Sequence, residues 1–211
     1  MSRAELTPDG RDPQLVPDNW RELIDPAGEW HLDEDGLPRR RGARVIALRT
    51  VPSPAILLVT GHDRTDADHW WSFTPGGGVL EGETSRQAAA RELAEETGIV
   101  LDEGALTGPV VYRDSRFDFN LVTVRQDEDL FLAVLDAEQA EATAGADGEM
   151  DRSGWTELER EVLDSVRWWP LEELDAAVGR GMVVYPPQLP DLARELVTGW
   201  NGVAWSIKEW D

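Results

Sequence analysis

The sequence has no cysteine, which excludes disulfides, thiolate zinc sites and cysteine nucleophiles. It has no apolar run near the roughly 20 residues needed to cross a bilayer. The opening residues, Met1 to Gly10, lack the apolar centre of a secretory signal, so a cytoplasmic location without a membrane partner is expected. Positive charge is scarce: 20 Lys and Arg stand against 42 Asp and Glu, a formal net charge of -22. Such a field repels phosphate backbones and anionic lipid, which argues against a nucleic-acid partner. Histidine is confined to His31, His62 and His69, too scattered for a cluster and read as surface or loop positions.

At 211 residues the chain can bury one domain and still carry terminal extensions. Residues 1–38 form a polar lead-in rich in Pro and Asp, with a short helix expected around Trp20 to Ile24. Arg44 to Arg49 and Ala55 to Thr60 read as a hairpin around Pro52 and Pro54, because proline cannot donate to a ladder. Trp70 to Phe73, Val110 to Tyr112, Phe119 to Val124, Leu130 to Leu135 and Val166 to Trp169 are further strand candidates. Ala137 to Asp151 reads as a loop or short helix. Helices are expected over Leu171 to Val178 and from the prolines at 186, 187 and 190 to about Thr198. Strands interspersed with helices imply an α+β mixed sheet flanked by helices. In the tail, residues 199–211, Trp200, Trp205 and Trp210 recur every five residues, which fits neither a helix nor a strand period. They would cover another subunit or the domain's own apolar surface.

The most informative segment is Gly77 to Ile99, GGVLEGETSRQAAARELAEETGI. Thr84 to Gln87 fits a capping box, Ala88 to Leu93 are strong helix formers, and Gly98 stops the helix. Glu92, Glu95 and Glu96 then fall at i, i+3 and i+4, so their carboxylates share one face and repel by a few tenths of a kcal/mol per pair, ~0.2–0.5. Glu95 and Glu96 also lie in the last turn, where the helix dipole disfavours acids. A divalent cation would convert both penalties into binding energy. Ahead of the helix, Thr74-Pro75-Gly76-Gly77-Gly78 reads as a loop whose backbone can approach a ligand closely.

Gly77, Glu83, Arg91, Glu92, Leu93, Glu95, Glu96, Gly98 and Ile99 fill every fixed position of a pattern that resembles the Nudix box, G-x5-E-x7-R-E-U-x-E-E-x-G-U with U a bulky aliphatic residue. The resemblance extends to the surrounding strands and implies a Nudix hydrolase domain at residues 39–198, folded as an α/β/α sandwich. It implies metal-dependent hydrolysis of a phosphoanhydride bond in a nucleotide or nucleoside diphosphate derivative, with Mg2+ or Mn2+ as cofactor and a homodimer as the expected assembly. It further implies that Glu92, Glu95, Glu96 and the Gly76 carbonyl hold the metal, that Arg91 orients a glutamate by a salt bridge, and that Glu83 reaches the site from the start of the helix. Oxygen-rich clusters select these hard cations.

Family members often add an acid from beyond the box. Asp127, Glu128, Glu149, Glu157, Glu159 and Glu161 are the candidates, with Glu159 and Glu161 favoured because they precede the Trp168-Trp169 strand. Trp70, Trp71 and Phe73 could stack on a nucleobase or pack the core. The resemblance leaves the substrate open: Asp114-Ser115 stands where ADP-ribose hydrolases commonly show proline, and Arg116-Phe117 stands near where diadenosine polyphosphate hydrolases tend to carry tyrosine. The alternative reading is a nucleotide-sensing domain without turnover. The complete box weighs against it.

Overall fold

The computed structural model describes residues 5–25, 28–63, 66–141, 160–161 and 163–210. A mixed sheet dominates them. Its strands are β1 (His31–Leu32), β2 (Pro38–Arg49), β3 (Ala55–Asp63), β4 (Asp66–Phe73), β5 (Gly76–Gly78), β6 (Thr107–Phe119), β7 (Val122–Leu135), β8 (Leu163–Pro170), β9 (Val184–Tyr185) and β10 (Trp205–Glu209). The helices are α1 (Trp20–Ile24), α2 (Ser85–Thr97), α3 (Ala137–Glu141), α4 (Leu171–Gly179) and α5 (Leu189–Leu196). The sheet runs β10-β6-β7-β2-β3-β4-β9, with β1 and β5 on β2 and β8 on β3.

β2 organises this sheet. It pairs in parallel with β7 along Arg39 to Arg49, while its other side is shared by β5, opposite Gly42 to Arg44, and β3, opposite Leu48 and Arg49. Alternation along β2 splits its side chains between two cores. Ala43, Val45 and Ala47 join Ala88, Ala89 and Leu93 of α2, whereas Ile46 and Leu48 join Leu174 of α4 and Leu189, Leu192 and Leu196 of α5. Helices thus cover both faces, the sandwich expected from the resemblance. Fully buried Leu93 stabilises the folded state by about 1.5–3 kcal/mol relative to an exposed leucine.

Several local expectations are corrected. Phe119 to Val124 is not one strand: Asn120 and Leu121, at φ 49° and 68°, make a tight turn between β6 and β7. Both residues adopt the left-handed conformation that two-residue hairpin loops require. Gly76 to Gly78, read as a loop, forms β5. Of Ala137 to Asp151, read as a loop or short helix, Ala137–Glu141 forms the short helix α3, and the remainder lies outside the described residues. The last helix begins at Leu189 rather than Pro186, with Pro190 in its first turn.

Both chain ends contribute to the body of the fold. Val16, Trp20, Ile24 and Trp30 bury against Val122 and Val124 of β7. At the other end, β10 pairs in parallel with β6, from Trp205 opposite Val111 to Glu209 opposite Ser115. Ile207 and Trp200 pack on the α4–α5 core, while Trp210 is exposed and lies beneath Arg125.

Candidate metal and phosphate site

α2 is fixed at both ends by its own sequence. The Gln87 amide donates to Thr84 Oγ1 at 3.2 Å and the Thr84 amide donates to Gln87 Oε1 at 3.0 Å, the reciprocal capping box. Gly98 closes the helix in the left-handed conformation at φ 74°. Ala88, Ala89 and Leu93 sit in the core, and this rotation sets Glu92 and Glu96 along β5, where they are 7% and 3% exposed.

Arg91 binds three of the four box glutamates. Its Nε and Nη2 fork onto Glu83 Oε1 and Oε2, each at 3.0 Å, and Nη2 also donates to the Gly78 carbonyl at 2.9 Å. Its Nη1 donates to Glu92 Oε1 at 2.7 Å and to Glu95 Oε2 at 3.1 Å. The Arg91 hydrogen bond, with the Leu80 amide, holds the Glu83 carboxyl below its ordinary pKa despite partial burial, and Glu83 in turn raises that of Arg91. Glu96 works separately: its Oε2 accepts the Gly76 amide at 2.8 Å. The repulsion expected along this face is therefore offset by a guanidinium and a backbone donor supplied by the chain itself.

The Gly76 carbonyl accepts from Arg44 Nη1 at 3.0 Å, and so does the Thr74 carbonyl. A carbonyl has two lone pairs, so this bond leaves one for another partner. At Gly77 a Cβ would lie 2.6 Å from the Glu92 carboxyl carbon, so the missing side chain is what lets the carboxylate lie against β5.

The residues fit a hard divalent cation in their chemistry. Among the described residues no three acidic or imidazole groups are already gathered as a cage. Glu92 and Glu95 nevertheless converge on one positively charged nitrogen, from the helix face that also carries Glu96. All donors are oxygens, as Mg2+ and Mn2+ prefer.

Of the candidate acids beyond the box, Asp127 pairs with Arg39 at 2.6 Å, and Glu161 is exposed. Glu149, Glu157 and Glu159 lie outside the described residues. Glu128 is fully buried with both oxygens held, one by Arg44 and Gln126 and the other by Arg113. Burial alone would raise its pKa, but the two guanidinium charges more than offset that and lower it to about 2. It is an ionised anchor for two arginines. Sequence reading missed Arg44 and Arg113; the available signal was a charge set into apolar strands, Arg113 lying opposite Glu128 in the ladder.

The aromatic candidates divide. Trp71 and Phe73 are half-buried against the α2 core, their rings 5.1 Å apart, whereas Trp70 is 48% exposed beside His62. Trp168 donates to the Ala140 carbonyl at 3.2 Å, and Trp169 packs on the α4–α5 core. His31 is exposed on β1, His62 pairs with Asp164 at 2.7 Å, and the side chain of His69 lies outside the described residues.

A family model described as NUDIX domain matches residues 38–186. The chain belongs to the Nudix hydrolase family. Uncharacterized Nudix hydrolases of Listeria monocytogenes and Listeria innocua are each 45% identical over 40 residues, 19% of this chain and 24% of theirs. The Nudix chain thus spans about a quarter of the length of these curated relatives. Among solved structures, an Ap4A hydrolase of C. elegans is similar at 17% identity and a TM-score of 0.44, over 75% of this chain and 96% of that one. A Nudix hydrolase of Alicyclobacillus acidocaldarius is similar at 17% identity and a TM-score of 0.47, over 77% and 92%. Among the described residues no helix is long and apolar enough to cross a membrane.

Proposed function

We propose that this Nudix chain hydrolyses a phosphoanhydride bond in a nucleotide or nucleoside diphosphate derivative, with Mg2+ or Mn2+ held by Glu92, Glu95, Glu96 and the Gly76 carbonyl. The observation that carries the reading is the convergence of Glu92 and Glu95 on the single nitrogen Nη1 of Arg91, on the helix face that bears Glu96. When bound, the cation would neutralise diphosphate charge and lower the pKa of a coordinated water.

The protein's own groups supply position. Arg91 has two sets of partners, and only Glu92 and Glu95 overlap with the proposed ligands. Its fork to Glu83 and its bond to the Gly78 carbonyl would keep the head in place when Nη1 gives up the other two. Glu83, tied to Arg91 and to the Leu80 amide, fixes the turn entering α2. Glu96 holds the Gly76 amide so that the neighbouring carbonyl stays aligned with the acidic face.

The test is a panel of nucleotide sugars, dinucleoside polyphosphates, nucleoside triphosphates and coenzymes, each incubated with Mg2+ or Mn2+ and resolved for products. Metal-dependent cleavage at a phosphoanhydride is the expected result. A panel left intact with either metal would remove the proposal.

A further inference from the structure

A line of alternating charge crosses the sheet on the side away from α2. Arg44, Glu128, Arg113 and Glu209 lie on β2, β7, β6 and β10, each two residues from an apolar neighbour, Ile46, Leu130, Val111 and Ile207, that belongs to the α4–α5 core. In strands that spacing puts each charge on the same face as its apolar neighbour. Arg44 Nε donates to one oxygen of Glu128 and Arg113 Nη1 donates to the other. Arg113 Nε donates to Glu209 Oε2 at 3.0 Å, and Nη2 donates to the same atom. Side-chain exposure is 14% at Arg44, 0% at Glu128, 8% at Arg113 and 19% at Glu209. Two positive and two negative groups thus sum to zero in a nearly dry place.

The near end of this line reaches the glycine strand. Arg44 Nη1 donates to the Thr74 and Gly76 carbonyls while Nε is fixed on Glu128, so a planar head is pinned at two corners. Gly76 is clamped from both sides, its amide by Glu96 and its carbonyl by Arg44. The far end is the C-terminal strand, outside the matched segment 38–186.

We propose that Arg44 is a positioning residue for the Gly76 carbonyl, and that Glu209 of β10, acting through Arg113 and Glu128, is needed to hold Arg44 there. The C-terminal strand is thereby part of the working site. The role assigned to the carbonyl rests on the hydrolase reading above; the clamp itself does not. Without Glu209, two guanidinium groups share one buried carboxylate, and the unpaired positive charge is relieved by Arg113 or Arg44 turning toward solvent. When Arg44 turns, the Gly76 carbonyl loses its donor and the acidic face loses its aligned partner.

The full-length chain carrying Glu209→Ala, Glu209→Gln or Arg44→Lys is compared with wild type and with Ser206→Ala, a change on the same strand outside the line. Three readouts are taken: NMR hydrogen exchange at the Gly76 amide, Mn2+ affinity by electron paramagnetic resonance, and kcat and KM on the best substrate of the panel. Glu209→Ala and Arg44→Lys should speed Gly76 exchange, weaken Mn2+ binding about 10- to 100-fold and lower kcat by a similar factor with KM for the nucleotide little changed. Glu209→Gln, which keeps an acceptor but no charge, should fall between, and Ser206→Ala should match wild type. A Glu209→Ala protein that melts lower yet keeps wild-type Gly76 exchange and Mn2+ affinity would overturn the proposal, leaving the line as a fastener for the tail. If Glu209→Ala fails to fold, Glu209→Gln and Arg44→Lys decide by the same readouts. A wild type that cleaves no nucleotide would sink the hydrolase reading alone, because Gly76 exchange in the variants still decides the clamp.

Discussion

Replacing Glu128 with glutamine tests the buried charge line through stability. The substitution keeps the size of the side chain but turns one acceptor oxygen into a donor facing a guanidinium, and it leaves Arg44 and Arg113 without their shared counter-charge. Breaking a buried pair by removing one partner costs about 3–5 kcal/mol. A second route gives a similar figure: the two arginines, against the opposing effect of burial, bring the Glu128 pKa from 4.5 to about 2, and a shift of that size is worth about 3 kcal/mol at ~1.4 per unit. Because the folded value is the lower one, this stabilisation is fully present above pH 4.5 and is lost as pH falls through about 2. Urea unfolding of wild type and Glu128→Gln should therefore differ by about 3–5 kcal/mol at pH 7, and the gap should narrow by about 1 kcal/mol at pH ~3.5 as the unfolded wild type takes up its proton. A gap below about 1 kcal/mol at pH 7, or one that does not change with pH, would refute the ionised anchor.

Metal should stabilise the native chain: at a hundredfold excess over its Kd, Mg2+ or Mn2+ adds about 2.7 kcal/mol, or roughly 5–10 °C in Tm for a domain of this size. An unchanged melting curve through millimolar metal would remove support for the cation. Glu95→Gln and Glu96→Gln should each abolish turnover. Glu95 is 46% exposed, so its loss should change stability by less than about 0.5 kcal/mol, and the Glu96 amide oxygen can still accept the Gly76 N–H; marked unfolding of Glu95→Gln without metal would count against this account. Gly77→Ala should lower kcat about 100-fold, because its Cβ would press on the Glu92 carboxylate and move it; a fully active Gly77→Ala would show that Glu92 need not lie against β5.

What sequence revealed of this site was local. The capping box, the apolar side of α2 and the spacing of Glu92, Glu95 and Glu96 lie within one helix, and the helix forms as Thr84 and Gly98 dictate. Arg91's bond to Glu83 was likewise within reach. Long-range pairing was not. Arg113 and Glu209 are 96 residues apart, and nothing in WSIKE signals that it will join β6 in parallel. The β6–β7 turn was misread for a related reason: Phe119, Val122 and Val124 look continuous, and a leucine at φ 68° is a turn residue that local propensity does not suggest.

The glycine run shows how packing changed a local inference into a different one. Three consecutive glycines read as a loop whose backbone can approach a ligand closely. In β5 a neighbour already lies in the space each side chain would take: the backbone of Ala43 and Arg44 at Gly76, the carboxylate of Glu92 at Gly77, and the carboxylate of Glu29 at Gly78. Glu29 is itself held by Arg40, which lies over Trp30 of the N-terminal segment. The strand is therefore gripped by the box helix, by β2 and by the N-terminal segment at once, while Arg44 ties it to the C-terminal strand. A backbone carbonyl held this way needs no reorganisation to meet a ligand, which is the property that a rigid phosphate site demands. Mobility would have defeated it, so the glycines serve close approach and not motion.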